Sequence, residues 1–197
     1  MLFYKFANIV GKVLSKLFFK LEIVGIENIP AEEGFLLCAN HVHVFDPLAI
    51  GLALDRKMFF IAKKELFNNK LKHWVLTNLG GIPIDRGTND LKAIKQSLRI
   101  LKEDKILVIF PEGTRNTTGE YIEPKSGAAL LAVKTKSKIV PVYIDAAKNY
   151  KLFSKVIVNI GKSIEFDEYY ASKPTSEDYT YMSAEIMKCI LNLRNED

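Results

Sequence analysis

At 197 residues, with 48% hydrophobic and 26% charged positions, the chain can bury a core and is too apolar to be disordered, so it reads as one folded domain. Two cysteines far apart in sequence, Cys38 and Cys189, speak against a disulfide framework, and the lack of a C-x-x-C speaks against a zinc ribbon. The net charge of +5 suits a phosphate-bearing ligand, an anionic membrane surface or nucleic acid, without choosing among them.

Residues 3–20 carry a helical period. Phe3, Phe6, Val10, Val13, Leu14 and Leu17 share one face, while Lys5, Lys12 and Lys16 gather on another. The pattern fits a helix lying in a membrane surface and equally a helix packed on the core with its lysines in water. No run of eighteen uninterrupted apolar residues occurs, so no transmembrane helix is expected. Lysines interrupt the segment and no small-residue cleavage pattern closes it, so no signal peptide is expected.

Strands and helices then alternate. Glu22–Val24 and Phe35–Ala39 read as strands, Pro47–Leu54 as a helix and Met58–Ala62 as a strand. A helix is expected at Leu66–Asn78, a short strand at Gly80–Ile84, and a helix at Asp90–Lys102 with Leu91, Ile94, Leu98 and Leu101 on one face. Ile106–Phe110 reads as a buried strand, Ala128–Thr135 as a helix, Ile139–Ile144 as a strand and Lys155–Ile160 as an edge strand. A last helix starts at Thr175, an N-cap with Glu177 and Asp178 in its first turn, and runs to Leu193. This alternation implies a single α/β domain over residues 21–197, with a mixed, largely parallel sheet flanked by helices, behind an amphipathic helix at 1–20.

In such sheets, sites collect where strands lead out into loops. Asn40-His41-Val42-His43-Val44-Phe45-Asp46 follows one strand and places a histidine five residues before an aspartate. The aspartate is able to fix the tautomer of His41 and support the imidazolium formed when it takes a proton. No serine completes a triad, so the nucleophile is expected to be a hydroxyl of the substrate. Asp46 directly before Pro47 also fits a simple helix N-cap. Asp85-Arg86-Gly87 and Pro111-Glu112-Gly113-Thr114-Arg115-Asn116 follow two further strands. Each alone fits a turn, but together Arg86, Arg115 and Lys125 supply charge-assisted donors for a phosphate. Ser126-Gly127-Ala128 opens a helix whose free amides favour an anion.

The set Asn40-His41-x-x-x-x-Asp46, Gly81-Ile82-Pro83-Ile84-Asp85-Arg86, Phe110-Pro111-Glu112-Gly113-Thr114-Arg115 and Val140-Pro141-Val142 resembles the four ordered blocks of the glycerolipid acyltransferases, in particular the bacterial 1-acylglycerol-3-phosphate (lysophosphatidic acid) acyltransferases. Ala62-Lys63-Lys64-Glu65-Leu66 resembles a further segment of that family. The resemblance implies that His41 activates the acceptor hydroxyl, that Asp46 orients it, and that Arg86, Glu112, Gly113, Thr114 and Arg115 bind the glycerol phosphate. It implies acyl transfer from acyl-CoA or acyl carrier protein to a lysophospholipid, giving phosphatidic acid, with no acyl-enzyme, no metal and no further cofactor. It also implies a peripheral protein on the cytoplasmic face of an anionic membrane. The chain departs from the family at His43, where a serine is usual.

Other readings are weaker. Another lysolipid or glycerol phosphate itself would serve as acceptor within the same chemistry. A metal-dependent hydrolase would use His41 and His43 as ligands, but only His73 remains to join them. A non-catalytic membrane-binding module has no need of a base. Nucleic acid is not an expected partner, because the lysines are dispersed and no recognised module occurs.

Overall fold

A computed structural model describes residues 2–54, 56–85, 90–146, 150–171 and 173–194, with only the backbone described for Lys16. The chain order is α1 (Leu2–Phe18), β1 (Phe19–Val24), β2 (Leu36–Ala39), α2 (Asp46–Ala53), β3 (Met58–Lys63), α3 (Lys70–Asn78), β4 (Gly81–Ile84), α4 (Leu91–Lys102), β5 (Ile106–Ile109), α5 (Gly127–Thr135), β6 (Ile139–Asp145), β7 (Ser154–Ile160), α6 (Asp167–Tyr170) and α7 (Ser176–Leu191). Short 3-10 turns at Ile26–Asn28 and Lys64–Phe67 complete the described elements.

The strands form one seven-stranded sheet in the order β1-β7-β6-β2-β5-β3-β4. Every pairing is parallel except β6 with β7, so the expected mixed, largely parallel α/β sheet is what forms. β2 occupies the centre and all four of its residues are buried, as a strand covered on both faces requires. Its alternation divides the core. Leu37 and Ala39 pack with α2 residues Ala49 and Ile50 on one face, and Leu36 and Cys38 pack with α4, α5 and α7 on the other.

Parallel strands place their outgoing ends on one edge of the sheet. β2 is parallel to β5 and β6, and β3 is parallel to β4 and β5, so the loops after β2, β4, β5 and β6 emerge side by side. That edge gathers sequence-distant polar residues.

Several expectations are corrected by the packing. β7 is no edge strand: β1 pairs with it on the outside, because the first helix stops at Phe18 and Phe19–Val24 runs on as a strand. The division between residues 20 and 21 therefore falls inside β1. Leu66 and Phe67 lie in a 3-10 turn and α3 begins only at Lys70, where the Asn69 side chain accepts the Leu71 and Lys72 N–H groups. In α4 the buried stripe is Ala93, Ser97, Ile100 and Leu101, while Leu91 is 64% exposed. The small residues Ala93 and Ser97 carry little hydrophobic signal, which hides this stripe in the sequence. Thr175 caps α7 as expected, in a reciprocal box with Asp178.

The first helix is packed on one side and leaves apolar residues outward on the other. Tyr4 is buried and Asn8 donates to the Gly51 carbonyl at 2.7 Å, which ties one side of α1 to α2. The apolar residues Phe6, Val13 and Leu17 face outward and are 65%, 56% and 60% exposed. No described helix is long and apolar enough to cross a membrane.

Candidate active site

His41 leaves β2 at the central strand's outgoing end, and its ring is held on two sides. Nδ1 lies 2.8 Å from Asp46 Oδ2, and one ring face stacks on Phe110 with centroids 4.1 Å apart. A carboxylate oxygen only accepts, so Nδ1 is the protonated nitrogen facing it, and in the neutral imidazole the lone pair falls to Nε2. His41 is largely buried and lines a cavity of about 500 Å³.

Asp46 is fully buried, and four donors satisfy it. Oδ2 accepts from His41 Nδ1 and from the backbone N–H groups of Val42 and His43, both at 2.7 Å, while Oδ1 accepts from the Tyr150 hydroxyl at 2.8 Å. These bonds offset the cost of placing a carboxylate out of water. Asp46 is the first residue of α2 and does not cap it; Phe45 holds the N-cap position with no side-chain bond. The carboxylate instead turns back to satisfy the N–H groups of the loop before the helix.

The loop after β5 clamps the His41 backbone. Glu112 is buried; Oε2 accepts the His41 N–H at 2.6 Å and Oε1 accepts from Asn116 Nδ2 at 3.1 Å. The Asn116 N–H in turn donates to the His41 carbonyl at 2.6 Å. Burial pushes the Glu112 carboxyl above its usual range, against the opposing pull of its His41 and Asn116 donors. A third tie comes from Asn40, whose side chain donates to the Ile144 carbonyl at 3.0 Å and accepts the Ile144 N–H at 2.6 Å, fixing the exit of β2 to β6.

The expected site residues divide into groups. His41, Asp46 and Glu112 meet directly, and Arg115 reaches the rim of the His41 cavity. Gly113 and Lys125 line a second cavity of about 560 Å³ between α4, α5 and the sheet. Phe110 borders both cavities. Gly113 has φ +67, and a Cβ there would lie 2.9 Å from the Lys125 Cδ and Cε, so the lysine stem needs a glycine to cross. Thr114 is exposed in the turn between them. α5 begins at Gly127, beside Lys125, and Ser126 makes no capping bond. Arg86 lies outside the described residues. Asp85, just before it, pairs with Lys64, and its N–H donates to Asp90 at 3.0 Å.

The His41 cavity is mostly apolar. Leu48 and Leu52 of α2, Met58 and Phe60 of β3, and Leu76 of α3 line it, with Tyr4 of α1 closing one side. An imidazole opening onto an apolar chamber, with an arginine at the rim, suits proton transfer beside a lipid chain and an anionic head group. The second histidine takes another part: His43 stacks on Tyr150 with centroids 4.9 Å apart, and its Nδ1 accepts the Phe45 N–H at 3.3 Å.

Tyr150 and Asn116 escape a reading by spacing. Asn116 adjoins Arg115 and its neighbourhood was the only signal. Tyr150 is 104 residues from Asp46, and no local pattern marks it.

An acyltransferase family model matches residues 20–145. The chain is 32% identical to a 1-acyl-sn-glycerol-3-phosphate acyltransferase of Bacillus subtilis, with 98% of each chain covered. It is 36% identical to the protein of that name from Streptococcus pneumoniae, over 70% of this chain and 52% of the other. Among solved structures, the 1-acyl-sn-glycerophosphate (LPA) acyltransferase from Thermotoga maritima superposes with a TM-score of 0.75 at 24% identity, covering 98% of this chain and 81% of that one.

Proposed function

Because the chain belongs to the acyltransferase family, we propose that it moves a fatty acyl group from acyl-CoA or acyl carrier protein to the free hydroxyl of 1-acylglycerol 3-phosphate, giving phosphatidic acid. The observation that carries this reading is the His41–Asp46 pair, with Nδ1 engaged and Nε2 left to an apolar cavity that has Arg115 at its rim.

In this scheme the acceptor hydroxyl gives its proton to His41 Nε2 as its oxygen attacks the thioester carbonyl. The tetrahedral intermediate collapses with cleavage of the C–S bond, and the departing thiolate recovers the proton from the imidazolium. Asp46 holds the ring and stabilises its charge throughout. Base and nucleophile belong to different molecules, so no acyl-enzyme forms and the acyl donor is the only co-substrate required. Arg115 and Lys125, joined by Arg86 from the second block, hold the phosphate; Gly113 and Thr114 shape the turn between the cations, and Glu112 fixes the catalytic loop.

The outward apolar face of α1 supports docking on an anionic bilayer, with Lys5 and Lys20 exposed near it. Tyr4, Ala7 and Asn8 of the same helix line the His41 cavity, so a lipid would enter the site from the surface that holds the protein. Such a protein works peripherally, at the cytoplasmic face where acyl-CoA and acyl carrier protein are found.

An assay offering lysophosphatidic acid, glycerol 3-phosphate and other lysolipids with each donor type tests the proposal. Phosphatidic acid formed in preference to other products supports it. Preference for a different lysolipid would move the acceptor while keeping the chemistry, and thioester hydrolysis without transfer to any acceptor would overturn it.

A further inference from the structure

Asp46 has two oxygens, and the reaction scheme accounts for only one of them. Oδ2 faces His41, while Oδ1 takes a hydrogen bond of 2.8 Å from the hydroxyl of Tyr150, in the connection that leaves β6. The tyrosine is built into place. Its side chain is mostly buried, with Phe19 and Phe45 packing edge-on against the ring at 5.7 and 5.9 Å and His43 stacking on one face at 4.9 Å. Its backbone adopts φ 56, a left-handed conformation that a bulky residue holds only when the surroundings impose it. His43, two residues after His41, thus places an aromatic ring against the tyrosine.

We propose that Tyr150 is a positioning residue for acyl transfer: its hydroxyl locks the Asp46 carboxylate so that Oδ2 faces His41, and His43 braces its ring. The proposal deepens the reading of His41 as base and rests on it. The hydroxyl is suited to the task, because burial and the neighbouring Asp46 charge push its ionisation well above the ordinary phenol range and keep it a donor. By sharing the Asp46 charge, this bond also limits how strongly Asp46 favours the imidazolium. Among the described residues, the other charged or titratable groups around His41 are His43, whose N–H shares Asp46 Oδ2, Glu112 on the His41 N–H, and Arg115, Lys63 and Tyr4 around the cavity.

Tyr150→Phe keeps the ring and removes the bond. The expected result is a kcat lower by about ten-fold, the scale of one hydrogen bond to a charged group, with KM for lysophosphatidic acid within about two-fold of the parent. With more negative charge left for the ring, the acid limb of the kcat/KM–pH profile moves to higher pH. The imidazole 15N titration of His41 moves the same way, and it needs no substrate. Coincident pH profiles and titrations for parent and variant would overturn the proposal, whatever the rate. So would a variant that fails to fold although it retains the ring, because the hydroxyl would then serve stability. Turnover surviving in His41→Ala would instead remove the reading of His41 as base, and the titration would still decide whether Tyr150 acts on His41 through Asp46.

Discussion

Glu112 accepts the backbone N–H of His41 at 2.6 Å across a separation of 71 residues. With the Asn116 N–H returning to the His41 carbonyl at 2.6 Å, the loop after β5 grips both sides of the His41 peptide unit. The glutamate of the Glu-Gly-Thr-Arg run thus holds the loop that carries His41. Glu112→Ala leaves a buried N–H without its acceptor, at a cost of about 1–3 kcal/mol. Urea unfolding should show that loss, together with a kcat reduced more than KM is raised; equal stability of the two proteins would contradict the clamp.

The same carboxyl predicts a pH dependence. Burial, the largest influence, holds it above its usual value, so the folded chain binds this proton more readily than the unfolded chain. The associated stability is fully present below the unfolded value and is lost as pH rises through the folded one. The stability of the parent relative to Glu112→Gln should therefore increase as pH is lowered through the mildly acidic range. Denaturant melts of both proteins at a series of pH values measure the difference, and a difference that shrinks toward acid would contradict the direction.

Asp46→Asn tests orientation. Oδ2 faces only N–H donors, so an asparagine keeps its oxygen toward His41, Val42 and His43 and turns its NH2 to the Tyr150 hydroxyl oxygen; a neutral amide oxygen then holds the His41 ring less firmly than the carboxylate does. Loss of ring orientation should cost about 10²–10⁴-fold in kcat. Steady-state rates corrected for the folded fraction provide the check.

The outward face of α1 is tested best by substitution. Removing the helix would also remove Tyr4 and Asn8, which line the cavity, and so would confuse membrane binding with site integrity. Phe6→Ser with Leu17→Ser should weaken sedimentation with anionic liposomes, each residue contributing up to about 1.5–3 kcal/mol on full insertion. The melting temperature should stay unchanged. Undiminished binding would assign docking to another surface.

The strand and helix alternation, the central buried strand and the His41–Asp46 pair were legible because each is written in local spacing. The position of β7 was not, since it depends on β1, whose first residues Phe19 and Lys20 read as the end of an amphipathic helix. The role of Glu112 needed the parallel pairing of β2 with β5, which places its loop against His41. Tyr150 was beyond reach for a similar reason: only the sheet order brings the connection after β6 to Asp46. His43 was visible as a departure, and its stacking partner became apparent only in three dimensions.

The central claim is that His41 takes the acceptor's proton. It is tested most directly by acyl transfer to lysophosphatidic acid from each donor type, with the parent and His41→Ala measured side by side at matched folded concentrations. The account predicts phosphatidic acid from the parent and a rate lower by about 10²–10⁴-fold in the variant. Equal rates from the two proteins would contradict it.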